Sequence, residues 1–168
     1  KLNFIVENKL TLNDIKISSN SRISNLSASR IFFGHDIKGG PIKIDVDKQG
    51  MDVSGNVKIG KIPLEFFWRE SFNNIEPFRR RYNLKPHISD MKQINELDLG
   101  FNLESLIEKY VSGGIDGEIE YMIFADDKRR LQLKADLLNT ELLAPALGWS
   151  KFKKIPGEVS VTFDFEGD

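Results

Sequence analysis

The stretch "PIKIDVDKQGMDVSGNVKIGKIPLEFFW" (residues 41–68) reads in twos. Apolar side chains take every second place at Ile42, Ile44 and Val46, then Met51 and Val53, then Val57 and Ile59, then Ile62, Leu64, Phe66 and Trp68. Polar ones such as Lys43 and Asp45 fill the gaps. Successive side chains of an extended strand point to opposite faces, so each segment has one apolar face and one wet face. Between the first two segments, "DKQG" (residues 47–50) offers turn formers, with Gly50 for a left-handed position. A run of such segments joined by short turns is a series of antiparallel hairpins.

The same alternation returns at Ile115, Ile119, Tyr121 and Ile123, at Leu131, Leu133, Ala135 and Leu137, and at Val159, Val161, Phe163 and Phe165. The "ADDKRR" stretch (residues 125–130) supplies another turn. Residues 10–12, 15–17 and 29–33 read as shorter strands. Two segments have helical spacing: residues 89–97, with Ser89 as a cap and Met91, Ile94 and Leu97 on one stripe, and residues 103–110, with Leu103, Leu106, Ile107 and Tyr110 on another. Residues 141–147 suit a third, shorter helical turn. The expected fold is therefore mainly β with two or three short helices, an antiparallel meander forming a curved, taco-like sheet or groove, with residues 1–168 as a single β-rich unit.

Composition excludes more than it selects. The 168 residues carry 24 basic and 25 acidic side chains, a net charge of −1, so no basic excess points to nucleic acid. Cysteine is absent, which removes disulfides, thiolate nucleophiles and cysteine–zinc sites. No apolar run approaches the roughly 18 residues of a membrane-spanning helix, and no signal peptide is visible. The chain opens on Lys1 inside an apolar stretch and stops after an alternating strand, the pattern expected of a piece excised from a longer protein.

Catalytic signals are weak. His35 and His87 stand in expected loops, without a G-x-S-x-G or H-E-x-x-H motif nearby. "VSGGIDG" (residues 111–117) lacks the lysine and spacing of a phosphate loop and reads as a turn feeding a strand. Asp45, Asp47, Asp52, Asp126 and Asp127 cluster near turns, but the twelve-residue calcium-loop pattern is missing. In "FRRRYNLK" (residues 78–85), Arg79 and Arg81 share one strand face and Arg80 and Tyr82 the other, a strip that could meet anionic lipid headgroups or nucleic acid but better suits a solvated face with cross-strand ion pairs. Phe66, Phe67 and Trp68 put aromatics on both faces of one strand, as under a covering helix or a membrane or ligand contact. The expectation is a protein that is not an enzyme and needs no cofactor or metal.

The strands together present more apolar side chains on one face than short helices can shield, and burying each is worth roughly 1.5–3 kcal/mol. Such a face must be covered by the sheet folding on itself, or by an apolar ligand. "LLAPALGWSKFKK" (residues 142–154) is a candidate plug, with Leu142, Leu143, Leu147 and Trp149 capping part of the face and Lys151, Lys153 and Lys154 at its rim.

Several stretches in order, "VSGNVKIGKIPLEFFWRESF", "RRRYNLKPHIS", "YVSGGIDGEIEY" and "LQLKADLLNTELLAPALGWSKFKKIPGE", resemble the central domain of the AsmA-like envelope proteins of Gram-negative bacteria, the YhdP/TamB group. The matches are residues 53–57, Trp68, residues 80–82, 110–113, 135–137 and 147–151, then Pro156 and Gly157, within roughly residues 50–160. The resemblance implies a periplasmic β-groove anchored in the inner membrane by a segment outside this sequence. Phospholipid acyl chains would pass along it toward the outer membrane, with neighbouring segments of the same full-length chain extending the groove.

On that reading the lipid-facing residues are Ile44, Val53, Val57, Leu64, Phe66, Ile119, Tyr121, Leu131, Leu133, Val161 and Phe163, with Arg79, Arg81 and the three lysines toward headgroups. The alternatives are a closed structural or interaction β-module with a dry core, and an enzyme whose site carries no familiar motif.

Overall fold

Residues 18–32, 35–73, 76–95 and 109–166 are described in this computed structural model, and within them most of the chain is strand. The elements are β1 (Ser19–Ile23), β2 (Leu26–Phe32), β3 (His35–Val46), β4 (Gly50–Ile59), β5 (Ile62–Ser71), β6 (Phe78–Ile88), α1 (Lys92–Asn95), β7 (Val111–Gly113), β8 (Ile115–Phe124), β9 (Arg129–Asp136), β10 (Thr140–Ala144), a 3-10 turn (Pro145–Leu147), β11 (Trp149–Lys151) and β12 (Glu158–Phe165). Nine strands form one antiparallel sheet in the order β1-β3-β4-β5-β6-β8-β9-β12, with β2 also on β3. The sheet is open: β1 and β2 hold one edge and β12 the other.

The expected meander is present, and pairing brings the apolar positions into continuous rows. One row runs Ile44, Val53, Trp68, Tyr82, Tyr121, Leu131 and Phe163; the next runs Ile42, Gly55, Phe66, Leu84, Ile119, Leu133 and Val161. In the first row Trp68 stacks on Tyr82 at 5.7 Å and Tyr82 on Tyr121 at 6.2 Å. Offset stacking of this kind adds to plain burial across neighbouring strands.

Residues 51–59, two apolar pairs in sequence, are one strand because Gly55 bridges them. A Cβ on Gly55 would meet Cδ1 of Ile42, its cross-strand partner, at 2.6 Å. The missing side chain lets Ile42 lie across β4, and Ile42 is 2 % exposed. Around it Val53, Val57, Ile59 and Leu64 form the main core, with Ile37, Phe66, Trp68 and Leu84 packed against them.

A second sheet, β11-β10-β7, continues the β8–β9 hairpin around a corner. Asp116 pairs with Asp136 in the large sheet and Gly113 with Thr140 in the small one, so the register slips by one residue between them. That extra residue bends the ladder as a bulge does. Gly113 sits at φ 97°, and a Cβ there would strike the Asn139 carbonyl oxygen at 2.2 Å. Thr140, fully buried, donates from Oγ1 to the Gly114 carbonyl at 2.6 Å and locks the corner. Beside it Ile62, Ile88 and Met91 form a smaller core with Ile94, Val111 and Ile115.

Several local expectations change. Gly50 is not left-handed; a Cβ there would meet the Glu70 carbonyl oxygen at 2.3 Å, so close approach is what requires glycine. The Asp47 carboxylate holds that turn, accepting from the backbone N–H of Gln49 at 2.7 Å and of Gly50 at 3.0 Å. In the 125–130 turn the left-handed residue is Asp127, at φ 63°. Helix α1 begins at Lys92, later than the expected 89, and Asp90 rather than Ser89 caps it by accepting from the Lys92 N–H at 2.9 Å; residues 96 and 97 lie outside the described residues. Residues 141–144 belong to a strand, with only Pro145–Leu147 in a 3-10 turn. The expected strands at 10–12 and 15–17, and the helix at 103–110 except Lys109 and Tyr110, lie outside the described residues.

Two outcomes test these assignments. Ile42→Ala should lower unfolding stability by about 2–5 kcal/mol, whereas Val161→Ala, at a side chain 39 % exposed, should lower it by less than about 1 kcal/mol; paired denaturant titrations measure both. Backbone N–H donors from Gln49 and Gly50 hold the Asp47 carboxyl below its usual range. A depressed folded pKa contributes stability that is complete above the unfolded carboxylate value, about 3.9, and is lost as pH falls through the folded value. The stability gap between wild type and Asp47→Asn should therefore stay constant near neutral pH and close in acid.

Candidate functional site

The apolar face of the large sheet is not uniformly covered. Val53, Val57 and Leu64 are buried in the core, so three of the expected lipid-facing residues hold the sheet together instead. Ile44, Phe66, Ile119, Tyr121, Leu131 and Leu133 are half-buried. Toward β12 the face opens: Val161 is 39 % and Phe163 45 % exposed, and Val159 and Phe165 join them on the same face. Beyond β12 no further strand pairs with it among the described residues. This eight-residue strand combines an unpaired edge, among the described residues, with an uncovered apolar row. Val159 and Phe165 share parity with Val161 and Phe163, so the alternation itself could have added them to the expected set.

One end of the face is closed by charge. Arg80 points to the same side as Tyr82 and meets Glu70 through Nε at 2.7 and 2.8 Å to the two carboxylate oxygens. That hydrogen bond and the carboxylate's charge hold the guanidinium above its ordinary pKa range. Trp68 Nε1 also donates to Glu70, at 3.3 Å, tying the aromatic row to the ion pair.

The opposite face is polar, and several of its charges are paired. Arg69 meets Asp52 and Glu76, each at 3.1 Å, and Arg130 meets Asp164 at 2.6 Å. Arg79, expected near headgroups, pairs with Asp127 at 2.9 Å. Arg81 lies with its guanidinium carbon 4.7 Å from the Phe78 ring centre and 6.0 Å from that of Phe67. Phe67 on the wet face is thus partnered by a cation, where a helix or a ligand was expected. Shallow clefts of about 700 Å³ lie here, one lined by Lys58, Glu65, Lys85, His87 and Asp116 and another by Glu118, Lys134, Asp136 and Glu158.

The plug departs most from expectation. Leu142 is half-buried, while Leu143, Leu147 and Trp149 are exposed and so do not cap the apolar face. Phe152 and Ile155 project beside them, unforeseen in the sequence, where they look like ordinary strand or turn residues. Lys151 is not at a rim: it is 6 % exposed, and Nζ donates to the carbonyls of Leu137 at 2.5 Å and Thr140 at 2.9 Å. The ammonium binds the strand ends at the corner between the two sheets. Lys153 and Lys154 remain exposed.

Other candidates resolve into local structure. His87 Nδ1 lies 2.5 Å from Asp116 on the exposed polar face. Asp45 pairs with Lys43 and Asp126 with Lys128, so the turn carboxylates face cations of their own hairpins. Among the described residues no group of three or more histidines and carboxylates is arranged to hold a metal ion. Comparison with known protein families, curated proteins and solved structures gives no match.

Lys151→Met keeps the aliphatic stem but removes the ammonium donor from the Thr140 and Leu137 carbonyls, of which Leu137 still accepts from the Thr140 N–H at 3.0 Å. An unpaired buried acceptor costs about 1–3 kcal/mol, so thermal or denaturant unfolding should show a loss of that size. Amide exchange should rise first in β10 and β11, with the centre of the large sheet unchanged.

Proposed function

We propose that this chain is a segment of a bridge-like envelope protein that carries phospholipid between the inner and outer membranes, holding acyl chains on the open part of its sheet. The observation that carries the reading is the uncovered apolar row of β12 at an unpaired sheet edge, continuous with the half-buried Leu131 and Leu133. Contact there is non-directional burial, which suits acyl chains of varied length and needs no cofactor. The polar face, with its paired charges, would stay in water. The order of motifs resembling AsmA-like proteins supports the same reading, on which the chain would work in the periplasm. Among the described residues no helix is long and apolar enough to cross a membrane.

The contacting set is narrower than the alternation alone implies: Val159, Val161, Phe163 and Phe165 lead, with Leu131, Leu133, Ile119 and Tyr121 behind them. A second reading, a structural or interaction module with a dry core, draws support from the tight packing around Ile42.

Native mass spectrometry of the purified chain, followed by solvent extraction, separates the two readings. Co-purifying phospholipid is expected, together with lipid adducts on photo-crosslinkers placed at Val161 or Phe163 and none at Val57. Phe163→Asp should reduce retained lipid severalfold while leaving the circular dichroism spectrum unchanged. A lipid-free protein with no adducts at β12 would leave only the dry module.

A further inference from the structure

The small sheet ends in a cluster that the acyl-chain reading does not use. Six of the twelve large apolar side chains most open to solvent among the described residues lie between 138 and 155: Leu138, Leu143, Leu147, Trp149, Phe152 and Ile155. Pairing holds them together. Trp149 is opposite Ala144 and Ser150 opposite Leu143, while the Lys154 N–H donates to the Leu138 carbonyl at 2.7 Å and the Ile155 N–H to that of Phe152 at 3.3 Å. β11 is three residues long, so the Leu147 end and the Phe152 end are separated by only about 10 Å of strand.

The cluster protrudes. Leu147 is 82 % and Trp149 52 % exposed, and a Cβ on the left-handed Gly148 between them would meet nothing within 4 Å. The core needs none of these side chains, and a soluble surface gains nothing by showing them.

Charge selects what they face. From Leu142 to Gly157 the chain has no acidic residue and three lysines, in a protein of net charge −1. Lys151 is committed to backbone carbonyls, but Lys153 and Lys154 are exposed with no ion pair among the described residues. Of the nearest carboxylates in the chain, Asp136 accepts from the Leu138 N–H at 2.8 Å and Glu141 faces Ser112, while Glu158 lies beside Leu138 and Pro156 in a cleft on the large sheet. Tryptophan and leucine beside unpaired lysines match the layered chemistry of a bilayer surface. The apolar groups reach the acyl boundary, indole sits at the headgroup level, and ammonium groups meet phosphate.

We propose that this tip, Leu147, Trp149, Phe152 and Ile155 with Lys153 and Lys154, docks the protein on an anionic lipid bilayer surface. Docking and acyl-chain holding use different residues and separate experimentally. The chain is titrated with vesicles of phosphatidylcholine alone and with 30 mol % phosphatidylglycerol, following sedimentation and Trp149 emission in a Trp68→Phe background.

Binding to the anionic vesicles with a blue shift is expected, weakening as salt rises from about 50 to 500 mM. Lys153→Gln with Lys154→Gln should reduce affinity roughly 10–30-fold, and Leu147→Ser with Trp149→Ala should reduce it about tenfold or more. Neither pair should change the unfolding transition or the lipid that co-purifies, and Phe163→Asp should leave vesicle binding intact. Equal binding to both vesicle types, no binding, or loss through Phe163→Asp but not through the tip variants would overturn the proposal. So would a self-association that the tip variants abolish in the absence of lipid.

Discussion

A slip of one residue in any strand of the large sheet would carry that strand's apolar side chains to the wet face and its charges into the core. The whole structure depends on this constraint. Eight-strand rows such as Ile44, Val53, Trp68, Tyr82, Tyr121, Leu131 and Phe163, beginning at Ser21, exist only while every neighbour keeps its register. Stacking along Trp68, Tyr82 and Tyr121 and the seating of Ile42 over Gly55 pin the middle, where burial is deepest. Register is strongly specified wherever one face is buried. Cross-strand ion pairs on the other face, Arg69 with Asp52 and Arg130 with Asp164, agree with the same alignment and add modest energy to it.

From that alignment comes an asymmetry along the sheet. Apolar side chains in β3 to β5 close on one another, while those of β12 meet β9 on one side only and stay open to solvent. A sheet closed into a barrel would have removed both edges; an open one keeps them, and the two edges differ. β1 is polar from Ser19 to Arg22 with one exposed apolar residue, Ile23, and is broken from β2 at Ser24 and Asn25, whereas β12 is regular and apolar on one side. Of the two edges of the large sheet, β12 joins the longer exposed apolar row, Val159, Val161, Phe163 and Phe165, to backbone unpaired among the described residues.

The corner between the sheets redirects the chain away from that surface. Thr140 and Lys151 satisfy the carbonyls that a bent ladder leaves over, and this makes a lysine structural where its neighbours Lys153 and Lys154 stay in solvent. Burial of an ammonium is tolerable here because backbone acceptors replace its water. The same bend carries Leu147 and Trp149 outward.

Alternation by itself marked β3, β4, β5, β8, β9 and β12 and their one-sidedness, because side-chain period is a local property of extended backbone, but it did not mark β1, β10 or β11. It also put Arg79 and Arg81 opposite Arg80 and Tyr82. It could not say that Val53 and Val57 are sealed while Val161 and Phe163 are open, since identical local patterns acquire different burial from what lies across the sheet. Nor could it assign Lys151 to the interior and Trp149 to the surface: the two share a strand face, and only the turn of the small sheet over the corner separates them. Period is written in neighbours along the chain, whereas exposure is decided by neighbours in space.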